Sequence, residues 1–211
     1  NYPGGGNYKV LRHGKKYYGI YMHLEDSMSV KNSYGINDIL GDIGNTGHSF
    51  GKHLHFGVID IAGNKSINPF TMLTPKNDNK KPDILEYALR IEDRYFNIRK
   101  GSNLRLTKHY PLLVKIQDSI EGNERLGIYK LSYEFNGKKS VTVVFSSIGY
   151  TKNVLTIQGM PFDDLYDSKG YYKLKNITYN NGENTLKVYA EDFSGNVATD
   201  EISFNINLDI K

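Results

Sequence analysis

The segment Thr185-Leu186-Lys187-Val188-Tyr189-Ala190 constrains the fold more than any other feature, because its side chains alternate with a period of two. On a strand, alternation places Leu186, Val188 and Ala190 on one face. Short runs compatible with strands recur along the chain, at residues 8–12, 17–24, 39–43 and 53–59, then at 84–91, 112–117, 127–135, 140–145, 171–177, 184–190 and 201–206. Turn signals separate them: Gly14-Lys15-Lys16, Asn136-Gly137, Asn181-Gly182 and Ser194-Gly195-Asn196. No long amphipathic helix is evident. The expected fold class is all-β, with the later run of strands spaced as in a β-sandwich.

The stretch Thr74-Pro75-Lys76-Asn77-Asp78-Asn79-Lys80-Lys81-Pro82 is polar, charged and bracketed by prolines, which is linker composition. It divides the chain into an expected first domain over 1–74, a linker over 75–82 and a second domain over 83–211. Composition supports the strand reading, with 17 Tyr and 21 Gly. The 27 Lys+Arg against 23 Asp+Glu give a net charge of +4, compatible with an anionic polymer, yet no basic run is dense enough for nucleic acid. Without cysteine, disulfides and thiolate metal sites are excluded, so any metal must be held by His, Asp, Glu or water. No apolar stretch approaches the length of a membrane span. The first residue is Asn1 rather than Met, from which a processed or trimmed chain is expected.

The chemistry concentrates around His53-Leu54-His55-Phe56. Residues i and i+2 of a strand share a face, so His53 and His55 project together. Such a pair suits metal binding or paired proton transfer, although by composition alone a bare His-x-His is more often incidental or structural. A glycine-punctuated loop, Gly44-Asn45-Thr46-Gly47-His48-Ser49-Phe50-Gly51, precedes it and allows backbone to approach a bound peptide. Upstream, alternation over Tyr17–Leu24 puts Tyr17, Gly19, Tyr21 and His23 on one face.

Taken in order, Gly6-Asn7-Tyr8-Lys9-Val10, His13-Gly14, Tyr21-Met22-His23-Leu24, Gly44-Asn45-Thr46-Gly47, His53-Leu54-His55-Phe56 and Asn68-Pro69 resemble the lysostaphin/LytM family of zinc metallopeptidases, peptidase family M-23. The resemblance covers about residues 4–73. It implies a partial antiparallel β peptidase domain with a groove for one Zn2+, hydrolysing peptide bonds of peptidoglycan. It further implies that His55 is a zinc ligand and that His23 and His53 are catalytic. A metal would acidify a bound water, and a histidine could take its proton or stabilise the oxyanion.

The family's other two zinc ligands, in a His-x-x-x-Asp motif, have no counterpart here, and Asp26, Asp38, Asp42 and Asp60 do not replace them. From this, a chain lacking the N-terminal part of the domain is expected, a poor zinc binder alone. The alternative is a non-catalytic envelope protein whose degenerate LytM-like domain binds peptidoglycan or a partner.

The second domain resembles immunoglobulin-like modules of bacterial envelope proteins through Gly182-Glu183-Asn184-Thr185-Leu186 and Ala190 to Asn196. It is expected to bind or space, with an envelope protein as its expected partner. The resemblance implies export, to periplasm, envelope or medium. His13, His48 and His109 are expected to be surface or loop residues. Asp192-Phe193-Ser194-Gly195-Asn196 is read as a turn closed by Asp and Asn side chains rather than a calcium loop.

Overall fold

The computed structural model describes residues 3–25, 30–73, 78–119, 126–140 and 142–209. The chain is nearly all β and divides into two compact units, Asn1–Pro69 and Phe70–Lys211. Residue 74 and, of the expected linker, residues 75–77 lie outside those described, as does Asp26.

The first unit is an antiparallel meander of β1 (Asn7–His13), β2 (Tyr17–Leu24), β3 (His55–Asp60) and β4 (Lys65–Ile67). Gly14, at φ +60°, closes the β1–β2 hairpin where the sequence places it. Ile20, Leu24 and Val58 form its small buried core. Two sequence expectations change. Residues 39–43 form no strand; only Ile43 makes an isolated bridge, to Leu24. Ile39 and Ile43 stay exposed, so that run has no buried layer to stand on. The strand expected from His53 begins at His55, because the His53 N–H bonds the Gly44 carbonyl in the loop at 3.3 Å.

The second unit contains β5 (Asp83–Ile91), β6 (Arg94–Ile98), β7 (Asn103–Leu106), β8 (Leu112–Gln117), β9 (Lys130–Phe135), β10 (Lys138–Lys139) and β11 (Val143–Val144). There follow β12 (Ser147–Thr151), β13 (Val154–Ile157), β14 (Met160–Pro161), the short helix α1 (Phe162–Leu165), β15 (Tyr172–Leu174), β16 (Gly182–Glu191) and β17 (Val197–Leu208). One sheet runs β15-β8-β5-β6; the other runs β10-β9-β16-β17-β7, with β11 also on β9. Only the β7–β17 pair within them is parallel among the described residues.

The two sheets share one core, so the unit is a β-sandwich. Leu112, Val114 and Ile116 of β8 face it, as do Leu186, Val188 and Ala190 of β16 and Ile202, Phe204 and Ile206 of β17. The odd residue Leu113 belongs instead to a cluster with Ala88 and Tyr171. That sheet therefore buries both faces at this point, which explains why 112–117 reads as a continuous apolar run. Val143, Ile157 and Leu165 form a satellite core under the β13–β14 hairpin and α1.

At one end of the sandwich Asp192 closes the β16–β17 turn as the sequence indicates. Its Oδ1 accepts from the Ser194 and Asn196 backbone N–H groups at 2.8 Å each, and its Oδ2 from Asn196 Nδ2 at 2.8 Å. Nearby, burial together with the Asp192 and Asp78 charges pushes the Asp118 carboxyl up to about 6. A raised carboxyl binds its proton more tightly in the folded chain, so its contribution to stability falls as pH rises through that range and is unfavourable above it. Asp118→Asn in a chelator is therefore expected to gain on the parent between pH 4.5 and pH 7.5, measured as urea midpoints. A difference independent of pH would contradict it.

Candidate active site

The site begins with an irregularity in β2. Opposite β1, Asn7 pairs with Leu24 but Lys9 pairs with Tyr21, so Met22 and His23 together face Tyr8 in a β-bulge. His23 takes φ +62°, in the left-handed region that a residue with a Cβ seldom occupies. Three contacts hold it there: its N–H bonds Gly5 O at 3.0 Å, its carbonyl accepts Gly44 N–H at 2.9 Å, and its Nδ1 lies 2.7 Å from Thr46 O.

The bulge corrects the alternation read from sequence. Tyr21 pairs with Phe56, their ring centroids 5.0 Å apart, whereas Met22 pairs with His55. Strict alternation would put His23 with Tyr21 and Phe56. Instead its ring lies 4.8 Å from that of His53 and 5.7 Å from that of His55. The bulge swings His23 onto the His55 side. Leu54, between the two histidines, is 41% exposed.

A carbonyl oxygen can only accept a hydrogen bond, so the Thr46 carbonyl fixes the proton of neutral His23 on Nδ1. The same logic applies to His53, whose Nδ1 lies 2.9 Å from Gly51 O. In both rings Nε2 is left with the lone pair. His23 is buried, 4% exposed, while His53 and His55 are exposed. The cluster thus offers one inner and two outer imidazoles.

Sequence reasoning marked the 44–47 loop for its glycines and missed Thr46. Its Oγ1 donates to Leu24 O at 2.8 Å and accepts from Asn7 N–H at 2.9 Å, while its carbonyl holds His23. One residue therefore ties the start of β1, the end of β2 and the His23 ring. Its neighbour Gly47, at φ +75°, would drive a Cβ to within 2.3 Å of Gly6 N, so only glycine fits. The local signal was a hydroxyl between two glycines. Thr46→Val should leave the Leu24 carbonyl and Asn7 N–H short of a partner and cost about 1–3 kcal/mol. Thermal melts check it; an unchanged melt would show that the hydroxyl is dispensable.

The other histidines stay outside the cluster. His13 Nε2 lies 3.4 Å from the Tyr21 hydroxyl. Together with Tyr8, Tyr21 and Tyr34 it lines a groove of about 780 Å³ between β1 and residues 30–40, which His23, His53 and His55 do not line. His48 is exposed, and His109 stacks on Tyr179 in the second unit with centroids 6.0 Å apart.

Clustered imidazoles of this kind can hold a metal or move protons. Residues 1–69 match the model of Peptidase family M23, and residues 81–207 match a separate family model. The chain is 40% identical over 74 residues to an uncharacterized metalloprotease of Haemophilus influenzae, covering 34% of this chain and 15% of that protein. It is 33% identical over 84 residues to the peptidoglycan DD-endopeptidase ShyA of Vibrio cholerae, covering 37% of this chain and 19% of that protein. The chain thus spans less than a fifth of the length of these relatives.

These matches support the M23 peptidase family for the first unit and imply a metal. A catalytic zinc takes three protein ligands and a water. Among the described residues, the only three His, Cys, Asp or Glu side chains whose donor atoms all lie within 4.8 Å of one another are Asp78, Asp118 and Asp192, in the second unit. The histidine cluster alone therefore does not fit a complete zinc site.

Proposed function

We propose that residues 1–69 are the histidine-bearing part of an exported zinc endopeptidase that cleaves peptides of peptidoglycan. The observation that carries the reading is the convergence of the His23, His53 and His55 rings, with Nε2 of His23 and of His53 left as proton acceptors. In this reading His55 is a metal ligand. His23 and His53 are the catalytic pair, and each takes or returns a proton at Nε2 while a backbone carbonyl holds its Nδ1–H. Accepting a proton there creates an imidazolium beside the reacting peptide, which stabilises developing negative charge.

The buried position of His23 holds its ring fixed while Nε2 accepts or returns a proton. The exposed position of His53 suits exchange of a proton with substrate or solvent. The relative acting on peptidoglycan supports the substrate class, and a net charge of +4 suits an anionic wall. The second unit, an immunoglobulin-like module in this reading, positions the peptidase or contacts an envelope partner.

Because the histidine cluster by itself falls short of the three ligands of a catalytic zinc, a second reading has the unit bind peptidoglycan without cleaving it. Zinc analysis separates the parts of the claim. The 211-residue chain, after exposure to a chelator, is expected to retain well under one zinc per chain. Tightly held stoichiometric zinc lost in His55→Ala would show that residues within the chain complete the site.

A further inference from the structure

The second unit gathers three carboxylates that the peptidase reading does not use. One donor oxygen from each of Asp78, Asp118 and Asp192 lies within 4.8 Å of the other two. Asp118 is 2% exposed and Asp192 1%, so two of the three are withdrawn from water. The turn at Asp192 is accounted for by its bonds to Ser194 and Asn196. Asp78 is also placed: its Oδ1 accepts from Lys80 N–H at 3.1 Å, its Oδ2 from Ser194 Oγ at 3.1 Å, and its carbonyl from Asn196 Nδ2 at 3.1 Å.

Asp118 Oδ1 is different. It is buried and has no hydrogen-bond partner, the only such side-chain atom among the described residues. Among the described residues none of the three carboxylates forms an ion pair, and the one cation acting on Asp118, Lys80, only partly offsets the burial and the two neighbouring carboxylates. The nearby Lys80 ammonium is turned to Ser119 Oγ at 2.7 Å and to Asp83 at 3.4 Å. A buried carboxylate with an unpartnered oxygen, grouped with two further carboxylates, is costly unless a proton or a cation neutralises it.

We propose that Asp78, Asp118 and Asp192 form a calcium site at the end of the sandwich. The donor set decides the metal class. Three carboxylates with no imidazole or thiolate suit a hard divalent cation, and calcium tolerates the irregular geometry that two turn residues and a strand end impose. The cation joins three separate pieces of chain: the segment leading into β5, the residue after β8, and the β16–β17 turn. It fixes where the chain enters the sandwich.

The test uses the full chain, freed of metal with a chelator and titrated with calcium chloride by calorimetry, alongside thermal melts with calcium or magnesium. One calcium is expected per chain, with Kd on the order of 10⁻⁴ M and preference over magnesium. The melting temperature should rise by about 5 °C at 10 mM calcium. Asp118→Asn and the less buried Asp78→Asn should each weaken binding at least about tenfold. Asp118→Asn, relieved of a buried charge, should be no less stable than the parent without calcium. Absence of both heat and melting shift, or binding unaltered in both variants, would overturn the site. Neither result bears on the histidine cluster, which lies in the other unit.

Discussion

Asn184→Leu is expected to destabilise the second unit by about 2–4 kcal/mol. Asn184 is fully buried in β16, and every one of its side-chain polar atoms is used. Its Oδ1 accepts from Asn136 Nδ2 at 2.9 Å and from Asn180 N–H at 2.8 Å. Its Nδ2 donates to Asn180 O at 2.9 Å and Gly182 O at 3.0 Å. It thereby ties the β9–β10 turn to the loop before β16, and Asn136 Oδ1 in turn accepts from Thr185 N–H at 2.8 Å. Leucine has similar volume but removes the part-buried partner of two donors and two acceptors, on Asn136, Asn180 and Gly182. Urea denaturation followed by circular dichroism measures the change. A loss below about 1 kcal/mol would show that solvent or repacking satisfies these groups.

The second large effect concerns activity. His53→Ala or His23→Ala in the full-length protein should lower peptidoglycan hydrolysis by about 10²–10⁴-fold, the range for removing a general acid or base. Because neither is assigned as a ligand, both variants should keep most of their zinc. His55→Ala should lose both zinc and activity. Losses should also differ in stability: His23 is buried and bonded to the Thr46 carbonyl, so its replacement disturbs the loop, whereas exposed His53 can be cut back with little structural cost.

Much of the fold was legible because strands that pack on one side announce themselves by alternation. β16 did so through Leu186, Val188 and Ala190, and β2 matches the expected Tyr17–Leu24 at both ends. β6, β7 and the β12–β14 hairpin were missed. Their residues include Phe96, Ile148, Tyr150, Val154 and Leu155, which are exposed and give no one-sided pattern. The run at 39–43 misled for the opposite reason, being apolar in composition without a sheet to join.

The histidines were legible as residues but not as geometry. Period-two reasoning assumes an unbroken strand, and the bulge at Met22–His23 breaks it where the site is built. Thr46 escaped because its part depends on three segments meeting, which no local pattern encodes. Asp118 escaped likewise, since the aspartates it faces are distant in sequence.

The central claim is that His23 and His53 move protons while His55 holds metal. It is tested most directly by incubating full-length protein, with each histidine replaced in turn by alanine, with purified peptidoglycan. Released peptides are counted by mass spectrometry and bound zinc is measured in the same samples. The account predicts that all three variants are inactive and that only His55→Ala loses its zinc. Undiminished hydrolysis by His23→Ala and His53→Ala, or equal zinc loss in all three, would contradict it.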